Sequence, residues 1–244
     1  MFGIIKNQTG ETLDYTFHEG IAASRDMLII GHGVTGNKDR PFVVALAEAV
    51  ANAGIHTLRF SFAGNGSSEG EFPDCTISKE VEDLQAVLSK AVEHNYRVTY
   101  AGHSMGGAVG VLATAQDSRI QFLISLAGMV NTEKFYETEF GEEIEGEGCM
   151  WEDSNYPLSS KFADDLRAIQ STAPQAAQIS VPWLLVHGTT DDVVLIDDSR
   201  EAYSLASEPK KLVEIAGANH IFSESGLQPM IDAVTTWLKD NLKH

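Results

Sequence analysis

A mostly parallel, doubly wound α/β sheet is the fold class this sequence predicts. Three observations predict it: short apolar runs alternate with helical patterns, the runs end in glycine-rich turns, and no repeat or low-complexity tract breaks the order. Met27-Leu28-Ile29-Ile30 is wholly apolar and ends at Gly31-His32-Gly33, after which Phe42, Val43, Leu46, Ala49 and Val50 recur at helical spacing. The unit returns with Ile55 to Phe62 as strand, a turn from Ala63 to Gly70, and a helix carrying Val81, Leu84, Val87, Leu88 and Val92. Arg97 to Ala101 makes the next strand and runs through Gly102-His103-Ser104-Met105-Gly106-Gly107 into a small-residue helix from Ala108 to Ala115. Phe122 to Leu126, Trp183 to Val186 and Lys211 to Ile215 complete the strands, and Met230, Ile231, Val234, Trp237 and Leu238 mark a closing amphipathic helix.

The chain has 244 residues with 43% hydrophobic content, so the economical organisation is one domain over 1–244 with a modest insertion. Seventeen basic against 35 acidic residues leave a net charge of −18, which repels phosphate backbones and anionic lipid headgroups. Neither nucleic acid nor a membrane is expected as a partner, and oligomeric state is not legible. The opening MFGIIKNQTG lacks a basic segment ahead of a long apolar core, and no apolar run approaches the roughly 20 residues that span a bilayer. A cytoplasmic protein is the expectation. Cys75 and Cys149 have no metal-ligand spacing around them and nothing in their placing pairs them, so the reading calls for no metal, cofactor or disulfide.

One stretch breaks the rhythm. Between Gly128 and Val181 nothing has the character of a core strand, and Glu133 to Asp153 crowds acids among glycines. An insertion over about 129–179 is expected above the C-terminal edge of the sheet, where α/β ligand sites lie. Its later part, with Phe162, Leu166 and Ile169 behind Ser159, reads as a capped helix. Phe135, Tyr136, Phe140, Trp151 and Tyr156 either roof a substrate pocket or anchor the flap to the sheet edge. Trp151 and Tyr156 are the substrate-binding candidates.

The strongest chemical signal is Gly102-His103-Ser104-Met105-Gly106, a G-x-S-x-G sequence set between a strand and a helix. A sharp turn there lifts the serine hydroxyl above the sheet, and residues without a Cβ let neighbouring backbone pass close. The new helix aims its free N–H groups and positive dipole end at the site, so Met105 N–H is the first candidate oxyanion donor. A serine hydroxyl needs a base, and the base needs a carboxylate that holds its tautomer. Downstream of Ser104, His187 ends a strand ahead of the candidate acids and His244 is the last residue, where fraying is expected. His220, in the loop between the last strand and the last helix, is the candidate base. Asp191 and Asp192 follow the strand Trp183 to Val186 and its glycine turn; adjacent side chains point apart, so one of the two faces the base. Asp197 and Asp198 read as N-terminal caps of the next helix.

Outside about Met129 to Ile179 the chain resembles the α/β-hydrolase family. Gly-His-Ser-Met-Gly-Gly at 102–107 is similar to its commonest elbow. Gly31-His32-Gly33-Val34-Thr35-Gly36-Asn37-Lys38 resembles its H-G turn, which implies Val34 N–H as the second oxyanion donor. Phe62-Ala63-Gly64-Asn65-Gly66-Ser67-Ser68 resembles its R-G-H-G-x-S loop, with Ala63 and Asn65 in place of Arg and His. His187-Gly188-x-x-Asp191-x-x-Val194 is similar to its H-G-x-x-D-x-x-V block, which implies Asp191 as the acid with Asp192 in reserve; Asn219-His220 matches its G-x-x-H ending. The layout looks most like carboxylesterases of the feruloyl or cinnamoyl type. The resemblance implies ester hydrolysis through an acyl-enzyme on Ser104, His220 and Asp191, with a small-molecule ester as substrate. A thioesterase or peptidase with the same triad ranks second, and a non-catalytic binding protein on the scaffold third. Dehalogenases and epoxide hydrolases resemble this fold with Asp at the elbow, where this chain has Ser104.

Overall fold

The computed structural model describes residues 2–21 and 23–242. A hairpin of β1 (Ile5–Lys6) and β2 (Thr12–Leu13) leads into β3 (Tyr15–His18), β4 (Asp26–Gly31), α1 (Pro41–Asn52), β5 (His56–Phe60), α2 (Ile77–Glu93), β6 (Arg97–His103), α3 (Met105–Gln116) and β7 (Ile120–Leu126). After β7 come α4 (Thr132–Phe140), α5 (Ser160–Ile169) and α6 (Ala173–Ala176), and then β8 (Trp183–Gly188), α7 (Ile196–Leu205), β9 (Lys210–Ile215) and α8 (Leu227–Asn241). Seven strands form one sheet in the order β3-β5-β4-β6-β7-β8-β9. Only β3 runs antiparallel to its neighbour; every other pairing in this sheet is parallel.

Parallel strands covered on both faces need apolar side chains on both, and β4 shows how. Met27 and Ile29 enter one core with Leu84, Leu88 and Val109 of α2 and α3, while Leu28 and Ile30 enter the other with Leu46 and Val50 of α1 and Val234 and Leu238 of α8. The period of two sends neighbours to opposite layers. No helix among the described residues is long and apolar enough to cross a membrane.

The short strands β1, β2 and β3 and the helices α4 and α6 were hidden from the pattern. β3 is a four-residue edge strand whose side chains are all half-buried, so it has no continuous apolar run. In α4 the buried set Thr132, Phe135, Tyr136 and Phe140 follows helical spacing, but Glu133, Glu137 and Glu139 mask it. The segment between β7 and β8 is therefore helical rather than a bare acidic flap. Phe140 lies edge-on to Phe135 at 5.9 Å and Phe162 at 6.2 Å, tying α4 to α5. Ser159 caps α5 as expected, its Oγ accepting from Phe162 N at 3.2 Å.

Asp198 departs from its expected role. It does not cap its own helix; Oδ2 accepts from Val130 N at 2.7 Å and Asn131 N at 3.1 Å, fastening the entry of the inserted segment to α7. Cys75 and Cys149 are free thiols.

Candidate active site

Ser104 sits at φ 53°, ψ −118°, between the end of β6 and the start of α3. Non-glycine residues avoid that region, so the surroundings must hold it there. Ser104 N donates to Leu126 O at 3.0 Å, and Ser104 O accepts from Gly107 N at 2.8 Å and Met129 N at 3.0 Å. The glycines are steric necessities: a Cβ on Gly102 would come within 2.0 Å of Gly106 O, and one on Gly106 within 2.4 Å of His32 O. Gly33 is hemmed in too, since its Cβ would stand 2.8 Å from Cβ of Ser104. Met105 opens α3, where the first N–H groups have no partner within the helix.

The turn after β4 faces the elbow. Gly36 N donates to Gly33 O at 2.9 Å with Thr35 at φ 55°, which closes a tight turn around Val34. His32 stands beneath it, donating through Nδ1 to Gly33 O at 2.8 Å and accepting at Nε2 from Phe62 N at 3.0 Å. Burial, helped by the nearby Arg40 charge, takes His32 down to about 4, so the imidazole is neutral in this bracing role.

His220 faces Asp191, with Nδ1 2.8 Å from Oδ2. Asp191 Oδ1 accepts from Val193 N and Val194 N, each at 3.0 Å, and His187 Nε2 stands 3.1 Å from Oδ2. Burial opposes ionisation of Asp191, but the two histidines outweigh it and hold the carboxyl well below the usual range. A carboxylate at Nδ1 keeps the proton there and leaves Nε2 of His220 open as a base. His103 ties this loop to the elbow: its Nε2 donates to His220 O at 2.9 Å, and burial together with the His220 charge takes it down to about 3.

Ser104 and His220 line one cavity of about 330 Å³ with Val34, Arg40, Phe42 and Trp151. Of the expected residues, the structure brings Ser104, His220, Asp191, Val34 and Met105 to one end of the sheet. Asp192 is exposed and turns to a separate cleft with Lys134. His187 lies fully buried, Nδ1 against Ser199 Oγ at 2.7 Å, and His244 lies outside the described residues. The aromatic cluster divides. Trp151 projects into the cavity, whereas Phe135, Tyr136 and Phe140 are buried anchors. Tyr156 does not line this cavity; its ring packs against Phe72 at 5.0 Å. Sequence reasoning gave no role in the site to His103 within the elbow, to His187 within the H-G block, or to Arg40. For His187 the signal was present in its spacing to Asp191; nothing marked the other two. No group of described residues has the arrangement of a metal site.

The family model Hydrolase_4, described as serine aminopeptidase, S33, matches residues 22–143 and 156–225. The chain belongs to this family of α/β-hydrolases. What the match leaves out between its two stretches is 144–155, the part of the insertion that carries Trp151. Est1E from Butyrivibrio proteoclasticus, in a structure with ferulic acid bound, superposes with a TM-score of 0.84 at 25% identity, covering 98% of each chain. The esterase domain of a Rhodothermus marinus protein shares the fold, with a TM-score of 0.77 at 19% identity over 97% of this chain and 96% of that one. Among curated relatives, YfhR of Salmonella typhi is 28% identical over 205 residues, and the match takes in 80% of this chain but only 64% of that protein's length. The mitochondrial palmitoyl-protein thioesterase ABHD10 of Bos taurus is 25% identical over 180 residues, 66% of this chain and 56% of that one.

Proposed function

We propose that this hydrolase cleaves carboxylic esters through an acyl-enzyme, with Ser104 as nucleophile, His220 as base and Asp191 as the acid behind it. The carrying observation is the 2.8 Å contact between His220 Nδ1 and Asp191 Oδ2 at the cavity that Ser104 and His220 share. Ser104 Oγ attacks the ester carbonyl as its proton passes to His220 Nε2, and the N–H groups of Val34 and Met105 hold the oxyanion. The tetrahedral adduct collapses, the ester C–O bond breaks, and His220 returns the proton to the leaving alcohol. Water then attacks the acyl-enzyme by the same route, releasing the acid and free Ser104. Asp191 stays ionised throughout and stabilises the imidazolium.

Est1E, which holds ferulic acid, supports a hydroxycinnamoyl ester as the first substrate class to test. The ABHD10 relative supports thioester cleavage as the second reading. Coenzyme A phosphates would meet the acidic insertion, so a neutral acyl thioester suits this site better than a charged one. A panel of hydroxycinnamoyl, short-acyl, aryl and thioester substrates, run beside Ser104→Ala, separates the two. Turnover that survives in Ser104→Ala, or fluorophosphonate labelling at another serine, removes the assignment.

A further inference from the structure

Three cations lie close together on the loop that follows β4 and on the strand beside it, and two of them are neutralised. Lys38 faces Asp14 at 3.3 Å and Asp39 at 2.8 Å, and Arg59 pairs with Asp39. Arg40 differs. Among the described residues its guanidinium has no carboxylate within ion-pair distance, and its one side-chain hydrogen bond runs from Nη2 to Thr35 O at 2.9 Å. That bond draws the guanidinium toward the oxyanion turn, and Arg40 lines the same cavity as Ser104 and His220. No acidic residue shares that lining. Two of the three neighbouring imidazoles, His32 and His103, are kept neutral by burial, so neither supplies competing positive charge.

The setting gives this lone cation its meaning. With a net charge of −18 the surface as a whole repels anions, so a cation kept unpaired at the mouth of the site is a local reversal of that field. Its planar fork suits a carboxylate, which it can grip through two parallel N–H bonds. The rest of the lining, with Val34, Phe42, Val193 and Ile221, offers an apolar wall for the chain in between.

We propose that Arg40 is a specificity residue for esters that carry a carboxylate, gripping that group while the ester carbonyl lies at Ser104. The inference rests on Ser104 being the nucleophile. It names a substrate class that the proposed activity leaves open: a monoester of a dicarboxylic acid, or the ester of a hydroxy acid.

The test is a ratio, so that general damage cancels. On the acyl side, mono-p-nitrophenyl adipate is compared with p-nitrophenyl hexanoate; on the alcohol side, 3-carboxyphenyl acetate is compared with 3-methylphenyl acetate. The wild type is expected to favour the anionic member of at least one pair in kcat/KM, and that pair identifies the arm of the ester that Arg40 reads. Arg40→Gln should cut the anionic-to-neutral ratio about fivefold or more, mainly through KM, and Arg40→Lys should retain part of it. Added salt should shrink the wild-type ratio and not that of Arg40→Gln, where it screens only the repulsion of the acidic surface. A ratio that is the same in wild type and Arg40→Gln overturns the proposal and leaves Arg40 as a brace for Thr35. Absence of turnover on all four esters, with Ser104 refusing fluorophosphonate, overturns the hydrolase reading and this inference together.

Discussion

The turns that hold the proposed catalytic groups and the insertion beside them are built on opposite principles. In the turns backbone lies against backbone, Gly102 against Gly106 and Gly106 against His32, and Gly33 lies against the Cβ of Ser104. In the insertion, side chains set the contacts, as Phe140 meets Phe135, Phe162 and Trp151 edge-on. Its tip is open, with Ile144 and Trp151 exposed and Gly146 at φ 81° with nothing near the place its Cβ would occupy. The family match lapses over 144–155 and runs unbroken through the turns. The proposed catalytic groups sit where close packing leaves no room for a side chain, and the insertion is built where side chains can change without touching the backbone beneath.

The sharpest way to break this comparison is at the acid. Asp191→Asn should lower kcat by about 10^4-fold because the amide no longer holds the right tautomer, while Asp192→Asn, on an exposed side chain, should leave it within about twofold. Steady-state kinetics on one aryl ester decides it, and the reverse ranking would move the acid by one residue. The glycines come next. Gly106→Ala should destabilise by about 3 kcal/mol or more in urea unfolding, since the new methyl meets a backbone carbonyl that cannot step aside. Gly146→Ala should cost only about 1 to 2 kcal/mol, the strain of a left-handed residue in open space. Equal costs would show that the tip is packed as tightly as the elbow.

Trp151 tests the roof from the other side. Its indole is 43% exposed, donates from Nε1 to Glu139 Oε2 at 2.8 Å and touches Phe140 at 4.9 Å, yet it lines the cavity. Trp151→Ala should raise KM for bulky aromatic esters about five- to tenfold, the worth of roughly 1 to 1.5 kcal/mol of contact, and spare acetyl esters. Equal losses on both, or a fall in Tm without a change in selectivity, would assign the ring to packing.

The smallest effect concerns Glu80, fully buried in α2 with neither carboxylate oxygen hydrogen-bonded among the described residues. Burial pushes its pKa well above the usual range, and the negative charges of Asp83 and Asp165 push the same way. An acid raised in the folded state stabilises most below the ordinary carboxylate pKa, and that contribution is lost as pH climbs toward the raised value. Glu80→Gln, which cannot ionise, should therefore gain Tm over wild type on going from pH 4 to pH 8, by about 2 to 4 °C. A difference that is flat across that range would mean Glu80 never faces the choice.

The parallel strands and the helices between them were legible because each is long enough to show its period. Met27 to Ile30 and Trp183 to Val186 are continuous apolar runs, and the glycines of 102–107 mark a turn by the side chains they lack. β3 and α4 were not legible, because a half-buried edge strand has no apolar run and acids conceal the apolar stripe of α4.

At the site, residue chemistry alone singled out Ser104 and His220, and left Asp191 and Asp192 equal until the likeness of the surrounding block separated them. Which aspartate meets the imidazole depends on how the chain leaves β8, and Val193 N and Val194 N turn Asp191 inward by holding its Oδ1. The partition of the aromatic residues belongs to the tertiary structure too. Trp151 reaches the cavity while Tyr156, five residues on, settles against Phe72, which an irregular segment without period cannot announce. The same holds for Arg40, whose meaning lies in having no carboxylate within ion-pair distance among the described residues: local sequence determines which elements form and which groups can react, and only folding brings distant charges near enough to pair or leaves one without a partner.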